Sequence, residues 1–138
     1  MPERESRGVK LLLDTCAILH LAAEPHRLSP ATREALQDPA SEVSVSVVSI
    51  AGLACLSNLQ RIVLEPHWKT WFRRAVDQNG WNLIEIDARV AEEAWSLPET
   101  FHRDPSDRLL VATARIHQLI LVTSDQRILD YAHVESMG

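Results

Sequence analysis

Val9-Lys10-Leu11-Leu12-Leu13 constrains the fold more than any other segment of this chain. Three consecutive leucines leave no polar face, so a strand built from them has to be covered on both sides. The run stops at Asp14. From Thr15 the pattern turns helical, with Ala17, Ile18, Leu21 and Ala22 on one face. A strand of this kind feeding directly into a helix is the opening unit of a mainly parallel α/β sheet.

The alternation continues to the end of the chain. Ser29-Pro30 reads as a capped helix start, running to about Asp38 with Pro39 as its stop. Val43, Val45 and Val47 alternate with serines and read as a second strand. Ser49 is expected to cap a third helix through Leu59, and a fourth runs from near Pro66 to Asn79-Gly80, carrying Trp68, Trp71, Phe72 and Val76. Trp81 to Ile86 reads as strand three, followed by a helix from Asp87 to about Ser96 and a loop from Leu97 to Arg103. Pro105 opens a helix through His117 or Gln118, Leu119 to Thr123 is strand four, a short helix follows Asp125, and Tyr131 to Glu135 is expected as a weak edge strand. The pattern predicts a three-layer α/β/α sandwich around a mainly parallel sheet of four to five strands.

With 138 residues and 46% apolar side chains, the chain has the material for one domain with its own core. That domain is expected to span 9–138, after a disordered polar tail at 1–8. No window approaches the roughly 18 consecutive apolar residues of a membrane span. The charged start does not resemble a signal peptide, so a cytoplasmic setting is expected. Cys16 and Cys55 lie in apolar helical patterns without metal-type spacing, and are expected as free, buried thiols. The net charge of −5 is not that of a simple nucleic-acid binder. A phosphate backbone would have to be met by clustered arginines or bound cations.

In doubly wound sheets ligands bind at the carboxyl ends of the strands, where the strand order reverses. Asp14 ends strand one and Asp125 lies just past strand four. Asp107 sits in the first turn of the helix leading into strand four, with Leu110, Val111 and Ala114 below it, so it is expected to point toward the sheet. Taken singly, Asp14 and Asp125 read more readily as helix caps, and Asp107 as a charge favouring the helix dipole, than as ligands. If strands one and four are neighbours, however, all three reach one cleft, where a cation must offset their repulsion. Hard oxygen ligands suit Mg²⁺ or Mn²⁺, and such an ion points to hydrolysis of phosphodiesters.

Leu11-Leu12-Leu13-Asp14-Thr15, Leu28-Ser29-Pro30, Val45-Ser46-Val47-Val48-Ser49, His102-Arg103-Asp104-Pro105-Ser106-Asp107-Arg108-Leu109-Leu110 and Leu121-Val122-Thr123-Ser124-Asp125 follow one another in an order that resembles the VapC-type PIN-domain ribonucleases. The resemblance spans about residues 9 to 135. It implies a PIN-like fold and a Mg²⁺- or Mn²⁺-dependent endoribonuclease acting as the toxin of a toxin–antitoxin pair. It also implies a VapB-type antitoxin as partner, RNA as substrate, and a homodimer. By the same resemblance Asp14, Asp107 and Asp125 are catalytic and metal-binding, Asp104 is a supporting acid or a cap, Thr123 is a hydroxyl beside the cluster, and Arg108 is structural or a partner to the acids.

One position departs from that pattern. The family carries a glutamate one turn into the third helix, where this chain has Gly52 in Ser49-Ile50-Ala51-Gly52, and no acid occurs from Val43 to Arg61. A weakened site follows, with low Mg²⁺ affinity and slow hydrolysis, both raised by Gly52→Glu. The alternative is a catalytically impaired binding protein that keeps its antitoxin and its dimer, with the Trp68-Trp71-Phe72 cluster in the core or at an interface. A phosphoacceptor receiver fits less well, because it needs paired acids after strand one and a late lysine, and no lysine follows Lys69. A dehalogenase-type phosphatase needs an acid where Cys16 stands.

Overall fold

A computed structural model describes residues 8–138. The rest of the expected tail, 1–7, lies outside the described residues. Gly8 belongs to the folded domain: its φ is +60°, and a Cβ there would fall 2.2 Å from the Ala40 carbonyl. Only glycine fits that approach.

The elements run β1 (Lys10–Leu13), α1 (Thr15–Ala23), α2 (Pro30–Gln37), β2 (Glu42–Ser46), α3 (Val48–Asn58), α4 (Trp68–Asn79), β3 (Asn82–Ile84), α5 (Ala88–Ala94), α6 (Pro105–His117), β4 (Ile120–Val122), α7 (Gln126–Leu129) and β5 (Ser136–Met137). The strands form one five-stranded sheet in the order β3-β2-β1-β4-β5, and every pairing is parallel. β1 is central, with Leu13 opposite Val45 on one side and Val122 on the other.

The leucine run explains the layering. Leu11 and Leu13 join Ala17, Ile18, Leu28, Val45, Leu53, Phe72 and Val122 on one face. Leu12 and Leu121 pack on the other against Leu110, Val111, Ala114 and Ile128. Successive side chains of a strand alternate between faces, so three leucines in a row serve two cores at once. At about 1.5–3 kcal/mol for each fully buried leucine, β1 is the main apolar anchor of the sheet.

Several local expectations need correction. Ser49 does not cap α3. The Ser46 hydroxyl accepts the Val48 N–H at 3.0 Å, while Ser49 lies buried inside the helix and accepts a hydrogen bond from the Thr15 hydroxyl at 3.1 Å. The last strand is Ser136–Met137, not Tyr131–Glu135. Tyr131 is a core residue, with its ring 4.7 Å from that of Phe101 and its hydroxyl donating to the Pro98 carbonyl. Cys16 and Cys55 are free but exposed, on the outward faces of their helices. Of the aromatic group on α4, Phe72 is core, Trp71 packs at its margin, and Trp68 is half-buried beside the exposed His67 and Lys69. No helix among the described residues is long and apolar enough to cross a membrane.

Candidate active site

β1 lies between β2, which the chain enters next, and β4, which it enters late. The winding therefore reverses at the β1–β4 boundary, and the carboxyl ends of these two strands border the crevice. Asp14 is the first residue past β1. Its N–H still donates to the Val122 carbonyl at 3.1 Å, and its Oδ1 accepts the Ala17 N–H at 2.7 Å, which caps α1. The side chain is buried. Burial raises its pKa above the ordinary carboxylate value, while the Thr123 hydroxyl and the Ala17 N–H pull it back.

Asp125 follows β4 through Thr123, whose hydroxyl oxygen accepts the Asp125 N–H at 3.0 Å. Asp125 caps α7 by accepting the Arg127 N–H at 2.9 Å. The Arg127 guanidinium also binds its carboxylate and holds it below the usual range. Asp107 reaches the crevice from α6. Leu110, Val111 and Ala114 bury that helix against the sheet, which turns the Asp107 side of its first turn inward. Asp104 caps α6 by accepting the Asp107 N–H at 3.0 Å. Burial, and then the charge of Asp104, push the Asp107 carboxyl up to about 6.

The three acids act on one another. The Asp125 charge raises the pKa of both Asp14 and Asp107. The Cys16 thiol is raised by its partial burial and then by the charges of Asp14, Asp107 and Asp125. The tightest group is not the expected trio, however. His102, Asp107 and Asp125 each present one ligand atom within 4.8 Å of the other two, and Asp14 stands outside that set. His102 Nε2 lies 3.2 Å from Asp107 Oδ2, at ion-pair distance, but makes no hydrogen bond among the described residues. Two carboxylates and an imidazole nitrogen form a donor set that fits a small divalent ion.

Gly52 borders the same region through Thr15, the neighbour of Asp14. A Cβ at position 52 would meet Thr15 Oγ1 at 2.9 Å and Cγ2 at 3.1 Å. α3 and α1 thus approach closely there, and α3 offers the crevice no carboxylate.

Residues 11–134 match the family described as PIN domain. The chain belongs to the PIN-domain family. It is 36% identical over 123 residues to Ribonuclease VapC22 of Mycobacterium tuberculosis, covering 89% of this chain and 92% of that protein. This places it among the VapC-type PIN domains. Its fold is similar to that of VapBC2 from Rickettsia felis bound to a promoter DNA fragment, with TM-score 0.68, 12% identity, and 92% and 96% of the two chains covered. A toxin–antitoxin complex from Klebsiella pneumoniae gives TM-score 0.63 and 20% identity over 88% of this chain and 92% of that one.

In this PIN domain Asp104 is the α6 cap, and Thr123 bridges the ends of β1 and β4. Arg108 is structural. It donates to the carbonyls of Ala94, Phe101 and His102, and its guanidinium lies 4.6 Å from the centre of the Trp95 ring. Two residues escaped the sequence reading. His102 lies in an aperiodic loop; the available signal was its place in the segment that delivers Asp107. Arg127 follows Asp125 by two residues, and no periodicity marks it.

Proposed function

We propose that this chain is the toxin of a toxin–antitoxin pair, a divalent-metal-dependent endoribonuclease that hydrolyses RNA phosphodiesters at the β1–β4 crevice. The observation that carries this reading is the convergence of Asp107, Asp125 and the His102 imidazole at the switch point of a PIN domain, with Asp14 beside them. The chain carries net charge −5, so these carboxylates repel a phosphate unless a cation intervenes.

Asp14, Asp107 and Asp125 are the acids that would hold the ion. Bound there, Mg²⁺ or Mn²⁺ would lower the pKa of a water and stabilise charge on the phosphoryl oxygens. The chain's own contribution is preorganisation. Each acid is fixed by a backbone N–H or a cap: Ala17 orients Asp14, Asp104 anchors the turn bearing Asp107, and Thr123 fixes the backbone of Asp125. Groups held in this way need little reorganisation at the moment of reaction.

The catalytically impaired alternative is not favoured, because the relative that shares 36% identity over most of the chain is itself a ribonuclease. A VapB-type antitoxin, homodimerisation and a cytoplasmic location belong to the same reading. Similarity to antitoxin-bound assemblies supports the first. The exposed apolar side chains Leu59, Val63 and Leu83 offer contact area for either partner. RNA cleavage with added Mg²⁺ or Mn²⁺, abolished by chelation and reduced about 100-fold or more by Asp14→Asn or Asp125→Asn, is the expected result. Cleavage that persists in both variants and in chelator would overturn the assignment.

A further inference from the structure

The crevice holds an imidazole, that of His102, beside two of its carboxylates. His102 is no loosely attached side chain. Its carbonyl, and that of Phe101, accept hydrogen bonds from Arg108 Nη1 at 3.2 and 3.0 Å. The Phe101 ring packs 4.4 Å from the imidazole on one hand and 4.7 Å from Tyr131 on the other. The side chain is only 17% exposed. The loop is therefore clamped with Nε2 3.2 Å from Asp107 Oδ2 and a ring nitrogen within 4.8 Å of an Asp125 carboxylate oxygen, and Nε2 makes no hydrogen bond among the described residues. A buried nitrogen left unsatisfied costs stability unless something completes it.

Position 52 supplies the second observation. Gly52 faces Thr15 with no room for an unopposed Cβ, and α3 brings no acid to the crevice. Resting on the metal-dependent reading above, we infer that His102 is a direct metal ligand, supplying a nitrogen donor in a site that lacks a carboxylate from α3. Two ligands about 2.1 Å from one ion stand no more than about 4.2 Å apart. Donors already within 4.8 Å close on an ion by small side-chain adjustments. The change of donor also changes the ion. Mg²⁺ takes oxygen ligands, whereas imidazole favours the transition ions. The site is thereby selective for Mn²⁺ over Mg²⁺.

Electron paramagnetic resonance of Mn²⁺ bound to the full chain tests this directly. Wild type is expected to show nitrogen modulation from a ligated imidazole. His102→Gln is expected to lose that modulation and to bind Mn²⁺ at least about tenfold more weakly, while its Mg²⁺ affinity changes less. Bound Mn²⁺ without nitrogen modulation in wild type would overturn the assignment without any variant. So would His102→Gln binding Mn²⁺ as wild type does. The two readings fail separately. Nitrogen modulation in a protein that cleaves no RNA keeps the ligand and overturns the activity. Metal-dependent cleavage with Mn²⁺ bound through oxygen alone keeps the activity and overturns the ligand. Absence of any Mn²⁺ binding overturns both.

Discussion

Arg127 grips Asp125 with two nitrogens, Nε 3.2 Å from Oδ1 and Nη2 2.9 Å from Oδ2. The same Nη2 stands 3.8 Å from Asp107 Oδ2. A guanidinium thus lies where the two carboxylates need positive charge, and a divalent ion has to compete with it. The arm is 62% exposed and free to swing into solvent. Arg127→Ala is expected to raise Mn²⁺ affinity a few-fold by calorimetry, with little loss of metal-free thermal stability, as befits an exposed pair. Weaker binding in the variant would mean that Arg127 supports the ion rather than displacing it.

Asp107 makes metal-free stability fall with rising pH. Its folded pKa of about 6 lies above the ordinary 3.8 of an aspartate carboxyl, because burial and then Asp104 disfavour its charge. The folded protein therefore keeps a proton that the unfolded chain has lost. That contribution is complete below pH 3.8 and disappears as pH rises through about 6. The raised Asp14 acts in the same sense, and the lowered Asp125 in the opposite one. The Asp107 shift corresponds to at most about 3 kcal/mol. Asp107→Asn is expected to stabilise the metal-free protein in urea at pH 7.5 and to do little at pH 4. Equal effects at both pH values would refute a raised pKa. Divalent-ion affinity, which requires the carboxylate, is expected to climb through this window and level off above it.

Arg108 holds the loop that carries His102. Its side chain satisfies three backbone carbonyls and stacks on Trp95, a set that needs the planar fork of a guanidinium. Arg108→Lys retains the charge but leaves carbonyls unpaired, at a cost of about 1–3 kcal/mol. Hydrogen exchange is expected to accelerate over residues 97–104 and not in β1. An unchanged exchange pattern would show that the loop is held by Phe101 and Tyr131 alone.

Legibility in the sequence followed the reach of each interaction. The Leu11-Leu12-Leu13 run, the Ser29-Pro30 start and the Asp87 and Asp125 caps depend on neighbours within a turn, and each stands where expected. Ser49 is a credible cap by local chemistry, but it lies inside α3, where its partner is Thr15, thirty-four residues away. A two-residue strand such as Ser136–Met137 carries no period, whereas Tyr131 imitates one because its ring belongs to the core. Cys16 looked buried among apolar neighbours, but helical geometry turns it away from Ala17 and Ile18. For the acids, capping and a place at the crevice coincide. Asp14 and Asp125 each cap a helix at the crevice, and Asp107 sits in the first turn of a third that is capped by Asp104. His102 was out of reach because its position depends on Arg108 and Phe101 in three dimensions.

Gly52 and Thr15 form a coupled pair, and a double-mutant cycle exposes it. Replacing glycine by alanine inside a helix is worth about 1 kcal/mol in propensity. At position 52 the new Cβ would meet Thr15 Oγ1 at 2.9 Å and Cγ2 at 3.1 Å, and moving this β-branched side chain breaks its bond to Ser49. A hydrogen bond is worth about 0.5–1.5 kcal/mol and an off-rotamer side chain costs about the same, so the gain is cancelled or reversed. Gly52→Ala is therefore expected to be neutral or destabilising alone and stabilising in a Thr15→Ala background, where the nearest remaining atom is Cβ at 3.5 Å. Gly52→Glu has the same steric demand and adds a carboxylate beside the Asp14 end of the crevice. It is expected to raise Mn²⁺ affinity more in the Thr15→Ala background than in the native one. Additive stabilities across the cycle would mean that Thr15 yields without cost. The native Thr15 would then be no obstacle to restoring an acid on α3.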